Sequence, residues 1–173
     1  MAAALLTLAA GSAANAATQG SLGTTSTGTV GVSVSVPNRV QISGLTDVAF
    51  INQDPSVAAS NAQNVCVWSN TSTRGYNVTA SGSGTAGAFT LANASLTVPY
   101  SVEWAGSSGA SSGTALASGT ALTGLTSTAT NATCSAGAAS TASLIVKIAS
   151  SNLQSMQAST SYTGTLTLVV APE

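Results

Sequence analysis

Histidine is missing from all 173 residues of the chain. Its absence removes the usual general base, the Ser/His/Asp triad and the commonest metal ligand. Charge is nearly as scarce, with three Lys or Arg (Arg39, Arg74, Lys147) and four acids (Asp47, Asp54, Glu103, Glu173). Nucleic acid needs a basic footprint, and none is present. A carboxylate pair for glycoside hydrolysis would have to come from Asp47, Asp54 and Glu103, which share no motif and read as solvated or turn-capping acids. For calcium only Asn52-Gln53-Asp54 is suggestive, and it is too sparse to count as a site. The expectation is therefore no catalytic residue, no metal and no cofactor. Long apolar runs are also lacking. The opening Met1–Ala10 is too short to cross a bilayer and no later segment is continuously apolar, so no stable membrane insertion is expected.

Two cysteines, Cys66 and Cys134, stand in the whole chain. The first residues, apolar and then small, lead to Ala14-Asn15-Ala16, which fits a small-x-small cleavage site before Ala17; residues 1–16 read as a secretory leader, though without the usual Lys or Arg at its start. An exported chain meets an oxidising compartment, so the two cysteines are expected to pair, the alternative being two separate buried thiols. What remains after cleavage is one domain with room for a core. Its surface, rich in Ser, Thr, Ala and Gly and nearly uncharged, repels its own copies weakly, and that favours self-association.

Apolar residues recur with a period of two between clusters of Gly, Ser, Asn and Thr, and no stretch keeps a helical period over a dozen residues. The chain reads as all-β. Strands are expected at 39–43, 47–51, 64–69, 75–80, 88–91, 96–104, 141–148 and 162–170, with turns or loops at 52–63, 81–87 and 105–113 and one helical turn within 150–161. Segments 64–69 and 75–80 read either as one long bulged strand or as two short ones. Seven to nine short strands at this spacing argue for a β-sandwich. The aromatics Trp68, Trp104, Tyr76, Tyr100 and Tyr162 fall within these segments, where core packing is favoured over stacking on a sugar. Four Asn-x-Ser/Thr matches, at Asn70, Asn77, Asn93 and Asn131, carry little meaning in a chain so rich in Ser and Thr.

One segment stands apart. In Thr27-Gly-Thr-Val-Gly-Val-Ser-Val-Ser-Val-Pro37, Val30, Val32, Val34 and Val36 alternate with small residues, so in a strand all four line one face. Pro37 stops the strand. Such a strand either joins its own sheet or leaves to complete another's. Two readings follow: a self-complete secreted β-sandwich that binds glycans or surfaces, and a subunit that lends a strand.

The second reading gains from a resemblance. The valine stripe, Gly44-Leu-Thr-Asp-Val-Ala-Phe, Val98-Pro-Tyr-Ser-Val-Glu-Trp and the closing Tyr162-Thr-Gly-Thr-Leu-Thr-Leu-Val-Val together resemble subunits of chaperone–usher pili, in particular the archaic class with the spore coat protein U type domain. The resemblance implies an incomplete immunoglobulin-like sandwich, residues 38–173, whose missing strand is supplied by a donor from another subunit. It implies that residues 17–37 are the donor extension, with Val30, Val32, Val34 and Val36 entering acceptor pockets, and that Tyr162, Leu166, Leu168 and Val170 form one wall of the acceptor groove. Glu173 and the terminal carboxylate would lie near the chaperone's anchoring site. The implied partners are identical subunits in a homo-polymer, a periplasmic chaperone and an outer-membrane usher. The implied setting is a bacterial surface pilus or fimbria serving adhesion and biofilm formation. The cysteines depart from the family pattern: its bridge joins the first strand to the end of the second, whereas here Cys66 fits the second strand and Cys134 lies far downstream.

Overall fold

A computed structural model describes residues 16–158 and 160–173. The expected leader lies outside the described residues except for Ala16. The chain divides between Pro37 and Asn38 into two units. In the first, Thr18 and Thr29 exchange both backbone hydrogen bonds, each 3.0 Å, and so close the intervening residues into a loop. Residues 30–36 then run on without a ladder partner among the described residues.

The second unit is nearly all β. Its strands are β1 (Val40–Ser43), β2 (Ala59–Ser69), β3 (Gly75–Gly82), β4 (Thr90–Asn93), β5 (Leu96–Pro99), β6 (Ser101–Ala105), β7 (Thr114–Ala115), β8 (Ala121–Thr126), β9 (Ala142–Ile148) and β10 (Leu166–Pro172), with a 3-10 turn at Thr85–Gly87 and a short α-helix, α1 (Ser150–Gln154). They form a five-stranded sheet in the order β1-β2-β9-β6-β7, a three-stranded sheet β10-β3-β8 and a hairpin β4-β5. Both larger sheets are open. Inward residues of the two, among them Val65, Val67, Tyr76, Val78, Val102, Trp104, Leu144 and Val146, share one core, as two packed sheets of a sandwich do. Trp104 is buried at its centre, its indole Nε1–H donating to the Tyr76 hydroxyl at 3.3 Å.

Strand β9 is central and almost wholly buried on both faces. Its outer face is covered where the loop after β6 folds over it: Ser143 Oγ donates to the Ser107 carbonyl at 3.0 Å and accepts from Ala110 N–H at 3.1 Å. Segments 64–69 and 75–80 are two strands in different sheets, not one bulged strand, and β2 begins five residues earlier, at Ala59. The expected strand 96–104 changes sheet at Tyr100: β5 pairs with β4, whereas β6 pairs with β9. Val98, Tyr100, Val102 and Trp104 are all buried, so inward alternation runs straight through the change. Strand β8 was not anticipated. It opposes Tyr76 with Leu125 and Val78 with Leu122, a bulge in which Gly124 takes φ +72°, and this puts its two inward leucines three positions apart.

Candidate functional site

Beyond Ser43, the last β1 residue paired with β2 (to Cys66), the chain leaves the sheet. Gly44 has φ +81°, a conformation open to glycine and costly for other residues, and it redirects the backbone. The side chain of Gln63 on β2 then takes the place of a backbone partner. It accepts from Thr46 N–H at 2.7 Å through Oε1 and donates from Nε2 to the Thr46 carbonyl at 3.0 Å. Thr46 is thus held a side-chain length away from β2. Their alternation persists, with Val48 and Phe50 half-buried and Asp47, Ala49 and Ile51 exposed. Among the described residues no strand pairs with 47–51, and the expected strand there is extended chain lacking a partner.

The facing edge is β10. It is the terminal strand of its sheet, paired antiparallel to β3 from Leu166↔Gly82 to Pro172↔Tyr76. The next residue, Glu173, donates its N–H to the Gly75 carbonyl at 3.1 Å. Hydrogen-bonded positions alternate along an antiparallel pair, so Thr167, Val169 and Ala171 bond to β3 while Leu166, Leu168 and Val170 turn their N–H and C=O groups to the open edge. Pro172 has the same parity and no N–H to leave unmet. The side chains of Leu166, Leu168 and Val170 point inward, half-buried; Val169 points outward and is 56% exposed.

Between these two edges lies a groove of about 550 Å³. Val48 and Phe50 line one side, Leu166 and Leu168 the other, and Leu144, Val146 and Ile148 of β9 form its floor. A second cavity of about 800 Å³ shares Val48, Phe50, Leu91 and Ile148 with it and extends towards Met156 and Tyr162. The four expected wall residues are therefore distributed. Leu166 and Leu168 line the groove, Tyr162 lines the adjoining cavity with its hydroxyl accepting from Gln157 N–H at 3.2 Å, and Val170 packs against the core beyond the groove lining. Tyr100 also borders the groove, its ring centroid 5.7 Å from that of Phe89. Burial pushes its hydroxyl pKa above the usual tyrosine value. In the first unit Val30, Val32, Val34 and Val36 are exposed by 77–93%.

Cys66 and Cys134 form a disulfide with Cα atoms 6.0 Å apart. It ties β2 to the loop before β9, and with Ala129 and the half-buried Trp68 it makes a small apolar cluster separate from the main core. With a sequence separation of 68, the chain-entropy model assigns it roughly 4 kcal/mol.

The acids do not converge. Asp54 accepts from Ser56 N–H at 2.8 Å and Oγ at 2.7 Å, and these bonds lower its pKa. Glu103 is bound by Lys147 Nζ at 2.7 and 2.8 Å on the outer face of the five-stranded sheet. The Lys147 hydrogen bond and, next, one from Gly113 N–H hold its carboxyl below the ordinary glutamate value. Among the described residues no group of three His, Cys, Asp or Glu is placed to hold a metal. The groove offers a largely apolar slot with the open edge of β10 on one rim, and what suits such a slot is an extended peptide with apolar side chains on one face.

Sequence reasoning missed Gln63 as the spacer and β9 as the floor of the slot. The signal for the first was Gly44 standing between two alternating runs, a mark of a strand that bends out of its sheet. Compared with known proteins, the chain matches no family model and no curated protein.

Proposed function

We propose that this protein is a structural subunit that polymerises by donor-strand exchange, the valine stripe of one copy completing the immunoglobulin-like sandwich of the next. The observation that carries the reading is the groove flanked by residues 44–51, with which no described strand pairs, and by the edge strand β10, in a chain that also has an exposed stripe of four valines at period two. Complementarity supports it on three counts. The stripe alternates with Gly31, Ser33 and Ser35, small enough to face outward without obstruction; the floor and the β10 side of the groove are aliphatic, with Thr46, Asp47, Gln63 and Thr165 as its polar lining; and neither β10 nor residues 30–36 carry a charge.

The energetics are adequate. Burying four valines contributes about 6 kcal/mol as an upper bound, before ladder bonds to the two edges, and ordering the tail opposes part of it. A strand enclosed in a sandwich dissociates only when the fold opens, so the polymer is kinetically durable. In this reading the protein is not an enzyme. It is exported to the cell surface as a pilus or fimbria, and before polymerisation the groove is covered by a periplasmic chaperone and handed on at an outer-membrane usher. The competing reading, a glycan-binding module, loses its aromatic platform: Trp104 is buried and Trp68 packs on the disulfide cluster.

The test is electrophoresis of the exported protein, loaded unheated and heated, beside a variant lacking residues 17–37. A multimer ladder that collapses on boiling and is absent from the deletion is the expected result. A monomer in every lane of the intact protein would refute the proposal.

A further inference from the structure

A stripe with strict period two poses a problem for any strand that must insert in one register. Shifting Val30-x-Val32-x-Val34-x-Val36 by two residues keeps three of the four valines in place, so the stripe specifies its own register weakly. On its C-terminal side Pro37 supplies a limit, because a proline inside the groove cannot donate to either edge. On the N-terminal side the limiting feature is structural. Thr18 and Thr29 exchange both backbone bonds at 3.0 Å and join their hydroxyls, so the chain becomes double immediately before Val30. The pairing is close: a Cβ on residue 28 would lie 3.0 Å from the Thr18 carbonyl oxygen.

We infer that the closed loop of residues 18–29 is a register stop, with Thr18 and Thr29 as positioning residues that fix how far the valine stripe enters the groove of a second copy. This rests on the donor-strand reading above. A paired chain is wider than a single strand by one interstrand spacing, about 4.8 Å, and cannot take the place of the single strand that the proposed exchange inserts between the two edges. For Gly28 to follow Val30 into the groove, Thr29 would have to give up both bonds to Thr18. Slippage in that direction therefore costs the loop, whereas correct insertion leaves it intact.

The experiment uses the full mature chain and measures the axial subunit repeat of the polymers by electron microscopy. Thr18→Pro removes the N–H that bonds the Thr29 carbonyl. Thr18→Pro/Gly28→Val also extends the stripe to five valines, so that the slipped register loses no apolar side chain. The wild type is expected to show a single repeat. Both variants are expected to polymerise with a second population of repeats displaced by about 7 Å, two residues of strand, and the double variant should hold the larger share of it. A single unchanged repeat in the double variant would overturn the stop while leaving the donor reading standing. Loss of polymer in the variants alone would overturn it too, since the loop would then belong to the binding contact itself. Absence of polymer in the wild type would remove both inferences together.

Discussion

Val34→Asp separates folding from assembly. Val34 is 92% exposed, so a carboxylate there costs the isolated subunit almost nothing. Under the proposed exchange the same position would enter a neighbour's groove, whose lining includes Leu144, Val146, Leu166 and Leu168, has no cation to pair with and already holds the Asp47 carboxylate. The loss is the valine's own burial, about 1.5 kcal/mol, plus the cost of an unsatisfied polar group, about 2 kcal/mol or more even if the acid enters protonated. The sum, about 4 kcal/mol, weakens the donor strand by roughly a thousandfold. Urea titration of the subunit should give the wild-type midpoint, while the unheated gel should lose its ladder. A wild-type ladder would refute the assignment of Val34 to a groove pocket. A lowered urea midpoint would refute the premise that the stripe is free of the subunit's own fold.

Cys66→Ser/Cys134→Ser should lower stability by about 2–4 kcal/mol in urea, with Trp68 fluorescence exposed first, because the bridge holds a satellite cluster and not the main core; equal stability of the two proteins under oxidising conditions would count against it. Glu103 has its pKa depressed by Lys147, so its contribution is present above the unfolded value and is lost as pH falls through the lower folded value. Thermal melts of Glu103→Gln should thus run about parallel to wild type in moderate acid and fall below it, by at most about 1 kcal/mol, near neutrality; an unchanged gap from pH 3 to pH 7 would dismiss the pair. Tyr76→Phe leaves the buried Trp104 indole N–H without its acceptor and should cost about 1–2 kcal/mol at constant denaturant slope, an effect that a fully stable variant would disprove.

The strands that could be read from sequence are those whose inward residues keep strict alternation, such as β9 with Leu144, Val146 and Ile148, and β10 with Leu166, Leu168 and Val170. Alternation reports which face of a backbone is buried and nothing about which neighbour pairs with it. For that reason 96–104 looked like one strand, since Val98, Tyr100, Val102 and Trp104 stay buried while the pairing partner changes from β4 to β9. The segment 47–51 misled in the opposite sense: its pattern is that of a strand, and its ladder is missing. Strand β8 was hidden because the bulge at Gly124 shifts Leu122 and Leu125 out of period. The groove itself was legible only as two candidate walls. Its floor depends on long-range pairing, which no local pattern encodes, and Gly44 marks the bend without naming Gln63 as the side chain that spans it.

The four edges of the two larger sheets argue most directly for what the open slot is for. A free edge invites pairing with other chains, and proteins blunt edges by shortness, bulges, charge or proline. Strand β7 has two residues, and its neighbour β6 carries Glu103 in an ion pair with Lys147. Strand β8 is broken by the Gly124 bulge. Strand β1 has four residues before Gly44 turns it away. Strand β10 alone is seven residues long, regular in its pairing to β3 and free of charge, with a proline only at its last position. A chain with so little charge gains no general protection from repulsion, so an edge left in this state beside an apolar groove is a hazard unless a partner covers it. The protection given to three edges and withheld from the fourth is what a subunit requires if it is to accept one strand at one place.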